Sequence, residues 1–265
     1  MKKIWITGSL LSIGLCSLAQ QKQGTVVYER TSQVRFNIAD NNNGEESKVQ
    51  TRTDKFDLSF GNNQSLWRQA EKENDDNENI SNNGVQIRMI VAGSDDVLYH
   101  NFTDAKKTEL RVFFERKFII DDSIRPLKWK MGEETKTILN HVCRKATATN
   151  TSKRTSMSIE NGVMERKEID DTSTITAWFA TDIPVSAGPA EFQGQLPGLI
   201  LALDINNGKQ VYQAMNISEK SDIASIKAPA GKKHYSPAEY KKERDKMMEE
   251  MQQDNGGGRR QIRIN

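Results

Sequence analysis

Cysteine is nearly absent from this chain, with only Cys16 and Cys143 among 265 residues. Two thiols make neither a disulfide framework nor a four-thiolate zinc site. Long apolar runs are missing as well: after the first nineteen positions no stretch approaches the roughly 20 apolar residues of a membrane-spanning helix. Charge of one sign is not in excess, because 38 Lys and Arg face 36 Asp and Glu, a formal +2. That balance excludes a broad basic face tracking nucleic-acid phosphates. H-E-x-x-H, G-x-S-x-G, a glycine-rich phosphate loop and paired-Cys zinc spacing do not occur, so no cofactor is expected. The length holds one medium domain or two small ones.

What is there begins with a leader. Lys2 and Lys3 precede an uncharged stretch from Ile4 to Leu18, and Ser17 and Ala19 supply small residues at the −3 and −1 positions. Residues 1–19 therefore read as a signal peptide cleaved before Gln20. A retained anchor needs a longer apolar run, and lipidation at Cys16 would want a small residue where Leu15 stands. Removing Lys2 and Lys3 from the 38 basic residues leaves 36 against 36 acids, so the exported form is formally neutral.

From Gln23 onward the chain reads as short alternating runs. Phe56, Leu58 and Phe60 share one face of a strand, and Val85 to Met89 and Leu110 to Phe114 follow the same rule. Asn83-Gly84, Asn161-Gly162 and Asn207-Gly208 mark hairpins, because both positions of such a pair accept positive φ. Two polar stretches, 37–48 and 71–83, read as inserts between strands. The second is acid-rich but lacks the ligand alternation of a calcium loop. The expected fold is mainly β: a curled antiparallel sheet or partly open barrel over 20–231, then a C-terminal helix and a short Gly-rich basic tail over 232–265. Ser236-Pro237-Ala238-Glu239 carries the helix-start signals, and the helix should end near Gln253.

His141-Val142-Cys143-Arg144-Lys145 lies in an expected strand, where His141, Cys143 and Lys145 share a face. An imidazole or ammonium beside the thiol could activate it as a nucleophile or make a soft-metal site. A small buried Cys in a core strand is the favoured alternative. Met247, Met248 and Met251 read as the apolar side of the terminal helix.

The segment 175–205 is the most structured in pattern. Pro197-Gly198 suits the centre of a type II turn, with glycine at positive φ. Leu199 to Leu203 is continuously apolar, so both faces of that strand need cover. The terminal helix is the expected cover; a bound ligand or a partner protein are the alternatives.

With Trp129, Lys136, Cys143-Arg144-Lys145-Ala146, Ala177-Trp178-Phe179, Ile183-Pro184, Gly188-Pro189, Phe192 and Leu196-Pro197-Gly198-Leu199-Ile200 in view, the sequence resembles the GLPGLI family, exported proteins known mainly from Bacteroidota. The eponymous first glycine is Gln195 here, so the segment reads Gln-Leu-Pro-Gly-Leu-Ile. The resemblance implies a periplasmic or outer-membrane-associated accessory protein, some members being thought to accompany TonB-dependent receptors. It supplies no activity. The reading is a non-catalytic binding protein for an envelope partner or an apolar ligand, with Trp129, Lys136, Cys143, Trp178, Pro184, Gly188, Pro189, Leu196, Pro197 and Gly198 as its motif residues. A groove lined by aromatic and aliphatic groups is expected near Trp129, Trp178 and Leu199. An enzyme or metal-handling protein using His141 and Cys143, and a purely structural envelope component, are the alternatives. Peripheral membrane association is compatible with all three.

Overall fold

In the computed structural model residues 22–40, 44–70, 80–82, 85–87, 95–160 and 163–256 are described. The leader, the acid-rich stretch 71–79, the tips at Asn83-Gly84 and Asn161-Gly162, and the basic tail lie outside them. Fourteen strands are present among the described residues. They are β1 Gly24–Asp40, β2 Gly44–Gly61, β3 Gln64–Gln69, β4 Ile80–Asn82, β5 Val85–Ile87, β6 Val97–Asn101 and β7 Lys106–Phe113. The chain continues with β8 Arg116–Ser123, β9 Lys130–Ile138, β10 His141–Glu160, β11 Val163–Ala180, β12 Ile200–Ile205, β13 Gln210–Ser218 and β14 His234–Tyr235, and ends in helix α1, Pro237–Gly256. Among the described residues no helix is long and apolar enough to cross a membrane.

Twelve strands form one sheet in the order β14-β8-β7-β6-β3-β2-β1-β13-β12-β11-β10-β9, while β4 and β5 pair with each other. Two meanders, β1 to β8 and β9 to β13, are joined where β13 pairs with β1. The connectivity alone requires curvature. Strands β8 and β9 stand ten neighbour spacings apart, roughly 48 Å on a flat sheet at about 4.8 Å each. The link from Ser123 to Lys130 reaches roughly 24 Å at most. The sheet therefore curls until its two ends approach, and no ladder closes it into a barrel among the described residues. It is the expected curled sheet, in its open form.

Alternation decides what faces inward. Phe56, Leu58 and Phe60 are buried, whereas Asp57 and Ser59 between them are not. Cross-strand partners share a face, and the pairs Tyr28↔Phe56, Tyr28↔Ala214, Leu203↔Tyr212 and Ala177↔Leu203 carry this concave apolar face around the sheet. At its centre Trp67 stacks on Phe56, ring centroids 4.9 Å apart, and meets Tyr28 at a tilt, 5.4 Å away.

Three expectations are corrected here. The polar stretch 37–48 is no insert: β1 and β2 stay paired through it to Asp40↔Gly44. The pairing of β1 with β13 ends at Ser32, so beyond that point β1 and β2 run on as a two-stranded ribbon. The sheet is not wholly antiparallel, since β14 joins β8 in parallel. Finally, α1 does not cover β12. It packs on β8 through Tyr240 against Phe118 and Ile120, a small cluster of its own. Its start follows the sequence signal: Glu239 Oε2 accepts from Ser236 N at 2.7 Å and Ser236 Oγ accepts from Glu239 N at 3.3 Å, a capping box. It continues to Gly256, three residues past the expected end.

Candidate functional site

The cover of β12 is the loop that precedes it, residues 181–199. Leu199 N donates to Ile183 O at 3.0 Å and Ile200 N to Ala187 O at 3.0 Å, so the loop doubles back along its own strand. Ile183, Ala187, Phe192, Leu196 and Leu199 are all buried. The loop also reaches strands far from β12. Ser65 Oγ on β3 donates to Gln193 Oε1 at 2.6 Å, both residues fully buried. Leu127 N and Trp129 Nε1, in the β8–β9 link, donate to Gln195 Oε1 at 3.0 Å each. Contact with strands that are not neighbours places the loop inside the curl, where it fills the concave side and ties the two sheet ends together.

Most motif residues belong to this filling. A Cβ on Gly188 would meet Ile200 Cβ and Cδ1 at 2.9 Å, so only glycine lets the loop lie on β12. Gly198 has no positive φ, so the type II turn expected from Pro197-Gly198 is not formed as read. Its glycine serves close approach instead: a Cβ there would collide with the Ala180 carbonyl oxygen. Pro184 and Pro197 are exposed beside it and Pro189 is buried. Trp178 lies on the other face of β11 from Ala177, with Lys136 Nζ 4.5 Å and Lys145 Nζ 5.9 Å from its ring centroid.

His141 and Cys143 are close but not coupled through the imidazole. His141 Nδ1 is 2.7 Å from Asp182 Oδ2, while the Cys143 thiol points at the His141 carbonyl oxygen at 3.5 Å. Cys143 is fully buried. Burial, followed by the Asp182 carboxylate, pushes its thiol up to about 11. That is the reverse of an activated thiolate. Among the described residues no cluster of three or more His, Cys, Asp or Glu side chains could hold a metal ion.

A feature that sequence reading passed over lies where the sheet ends meet. Ser65, His100, Lys107 and Asp122 are successive cross-strand partners on β3, β6, β7 and β8. Ser65 binds the loop, so the whole row faces the concave side. Between this row, Asn150 on β10 and the loop residues Glu191 and Phe192 is a cavity of about 290 Å³, roofed by the β8–β9 link. His100 is 1% exposed, and neither ring nitrogen has a hydrogen-bond partner among the described residues. Burial, then the Lys107 charge, pushes its imidazole down to about 3, so it is neutral at physiological pH. Lys107 and Arg125 flank Asp122 at 3.8 and 2.9 Å. This cavity is polar, and Trp129 adjoins it through the hydrogen bond from its Nε1 to Gln195 Oε1. The one signal for it in sequence was a histidine at an inward position, two residues from Leu98 in β6.

The fold and site define a class: an open curled β-sheet wrapped around its own motif-bearing loop, with a polar cavity at the seam. Within that class, residues 129–202 match the model of a family described as "Protein of unknown function (Porph_ging)". The match spans the motif residues from Trp129 to Ile200, whereas His100, Lys107 and Asp122 fall outside it. No curated protein matches the sequence. Among solved structures, "Structure of PNGF-II in C2 space group" superposes with a TM-score of 0.48 at 17% identity. The superposition covers 83% of this chain and 32% of that one, so this chain spans about a third of its length.

Proposed function

We propose that the protein is an exported, non-catalytic binding protein of the GLPGLI type, acting in the periplasm or at the outer membrane, and that the seam cavity is where it takes its ligand. An accessory role beside TonB-dependent receptors is the setting the family resemblance implies. The observation that carries the reading is the cavity itself. It is concave, bordered by the motif loop, and lined in part by a fully buried histidine whose ring nitrogens have no partner among the described residues. Such orphaned groups cost stability, about 1 to 3 kcal/mol each, and native structures keep few of them without a use. The motif residues supply the rigid platform and the cavity supplies the contact, which is the arrangement of a preformed small-molecule site. A nucleophilic role for Cys143 is disfavoured by its burial and its raised pKa.

The test is a bound mass. Protein exported by its own leader and purified without denaturation carries a small molecule visible by native mass spectrometry, and Ser123→Trp at the cavity rim abolishes it without changing the circular dichroism. No bound mass, together with no thermal stabilisation by the small-molecule fraction of the host periplasm, would refute the reading.

A further inference from the structure

The cavity's chemistry says more about the ligand than its existence does, and the step rests on the binding reading above. Its charges cancel: Lys107 and Arg125 against Asp122 and Glu191. An anion would be drawn to the first pair and repelled by the second, and a cation the reverse. The neutral polar groups are amphoteric. Neutral His100 offers one donor and one acceptor, with no hydrogen-bond partner among the described residues, and the Asn150 carboxamide in the lining offers both. Gln195, by contrast, is spent: its Oε1 serves Leu127 and Trp129, and its Nε2 serves the Glu191 carbonyl. Phe192, Ile124 and Leu127 give one apolar wall. The volume of about 290 Å³ sits at the lower edge of the roughly 300–1,000 Å³ of small-molecule pockets, which suits one small ring.

We infer that the seam cavity binds a neutral polyhydroxylated ring, the chemistry of one monosaccharide unit, with its hydroxyls on His100, Asn150 and Lys107 and its apolar face on Phe192. A hydroxyl both donates and accepts, so it satisfies a neutral imidazole and a carboxamide without bringing a charge that the balanced lining would reject. Each hydroxyl that reaches His100 also removes an orphaned buried group, so binding stabilises the fold.

The experiment titrates the full chain with D-glucose, D-mannose, D-galactose, glycine and inorganic phosphate, following backbone amides and the His100 ring nitrogens by NMR. At least one neutral sugar should shift His100, Lys107, Asn150 and Glu191 saturably. His100→Phe should weaken that binding by about tenfold or more while leaving the unliganded melting temperature equal or higher, a combination that a purely structural histidine would not give. If His100→Phe does not fold, Asn150→Ala should show the same loss of binding. Saturation of these resonances by glycine or phosphate and not by any sugar would overturn the ligand class and leave the site standing. Silence of the cavity resonances to all five would overturn both the class and the site. Wild-type sugar affinity in His100→Phe would remove His100 from the inference and overturn the chemistry argued from it.

Discussion

Replacing Gly198 by alanine tests whether the motif loop is held by close backbone approach. A Cβ there would lie 3.1 Å from the Ala180 carbonyl carbon and from Phe179 Cδ2, with the Ala180 oxygen closer still. None of these atoms is a free side-chain tip. Ala180 is fully buried, and its N donates to Leu199 O at 2.8 Å, so the loop can retreat only by stretching the bonds that lay it on β12. Overpacking of this kind costs about 1 to 3 kcal/mol, and one weakened backbone hydrogen bond adds about 1. The expected loss is about 3 kcal/mol. With a urea slope of about 2 kcal/mol per molar, the unfolding midpoint falls by about 1.5 M. Gly208→Ala is the control. Its Cβ meets nothing within 4 Å but its φ is +89°, so it should lose only the left-handed penalty of about 1 to 2 kcal/mol. A Gly198→Ala midpoint within about 0.3 M of wild type, or one above that of Gly208→Ala, would refute the close-approach argument.

Three further outcomes follow from the same contacts. His100 is neutral when folded, with a pKa pushed down to about 3, and about 6.5 when unfolded. Between those values the unfolded chain binds the extra proton, so stability is full above about pH 6.5 and falls by up to about 1.4 kcal/mol per unit as pH drops toward 3. His100→Phe should flatten that slope in denaturant titrations at pH 6 and pH 4.5, and an unchanged slope would show that His100 is not its source. Cys143 should resist a disulfide reagent at pH 8 until the protein unfolds, with the site located by peptide mapping; stoichiometric native labelling within minutes would contradict its burial. Gln195→Gly removes the acceptor shared by Leu127 N and Trp129 Nε1 and should cost about 2 kcal/mol. Hydrogen exchange should report it first at the Leu127 amide, and retained protection there would mean that the link is held by something else.

The parts of the fold written in alternation were legible. Phe56, Leu58 and Phe60 line the core as read, and the capping box at Ser236 and Glu239 opens α1 where expected. At Asn207-Gly208 both residues take positive φ, and Asp204 caps the turn by accepting from Gly208 N at 2.7 Å. Polar composition misled at 37–48, because β1 and β2 pair there with each other alone, and a two-stranded ribbon asks for no apolar alternation. The turns at Phe114-Glu115 and Leu139-Asn140 carry positive φ without glycine. Here the pairing of β7 with β8 and of β9 with β10 imposes the tight reversal, at about 1 to 2 kcal/mol per residue, against local preference. The cover of β12 was misassigned for a related reason. Periodicity reports that both faces are buried, but it does not say by which segment.

The seam cavity was hidden for a different physical reason, and that reason bears on function. Ser65, His100, Lys107 and Asp122 are spread along the chain and become neighbours only through three successive strand registers. No local pattern can announce such a row. The segment that does announce itself, from Trp129 to Ile200, consists largely of residues whose contacts hold the loop: Gly188 on Ile200, Gly198 on Ala180, and Trp129 on Gln195. A motif of this kind specifies an architecture, and it can be shared by proteins that take different ligands. The lining of the cavity draws on both sides of that division, with Asn150, Glu191 and Phe192 from within the matched segment and His100, Lys107 and Asp122 from outside it. Under the proposed binding role, changing the outer row should alter what the cavity recognises while leaving the platform intact, which would put specificity on β6, β7 and β8, away from the motif residues.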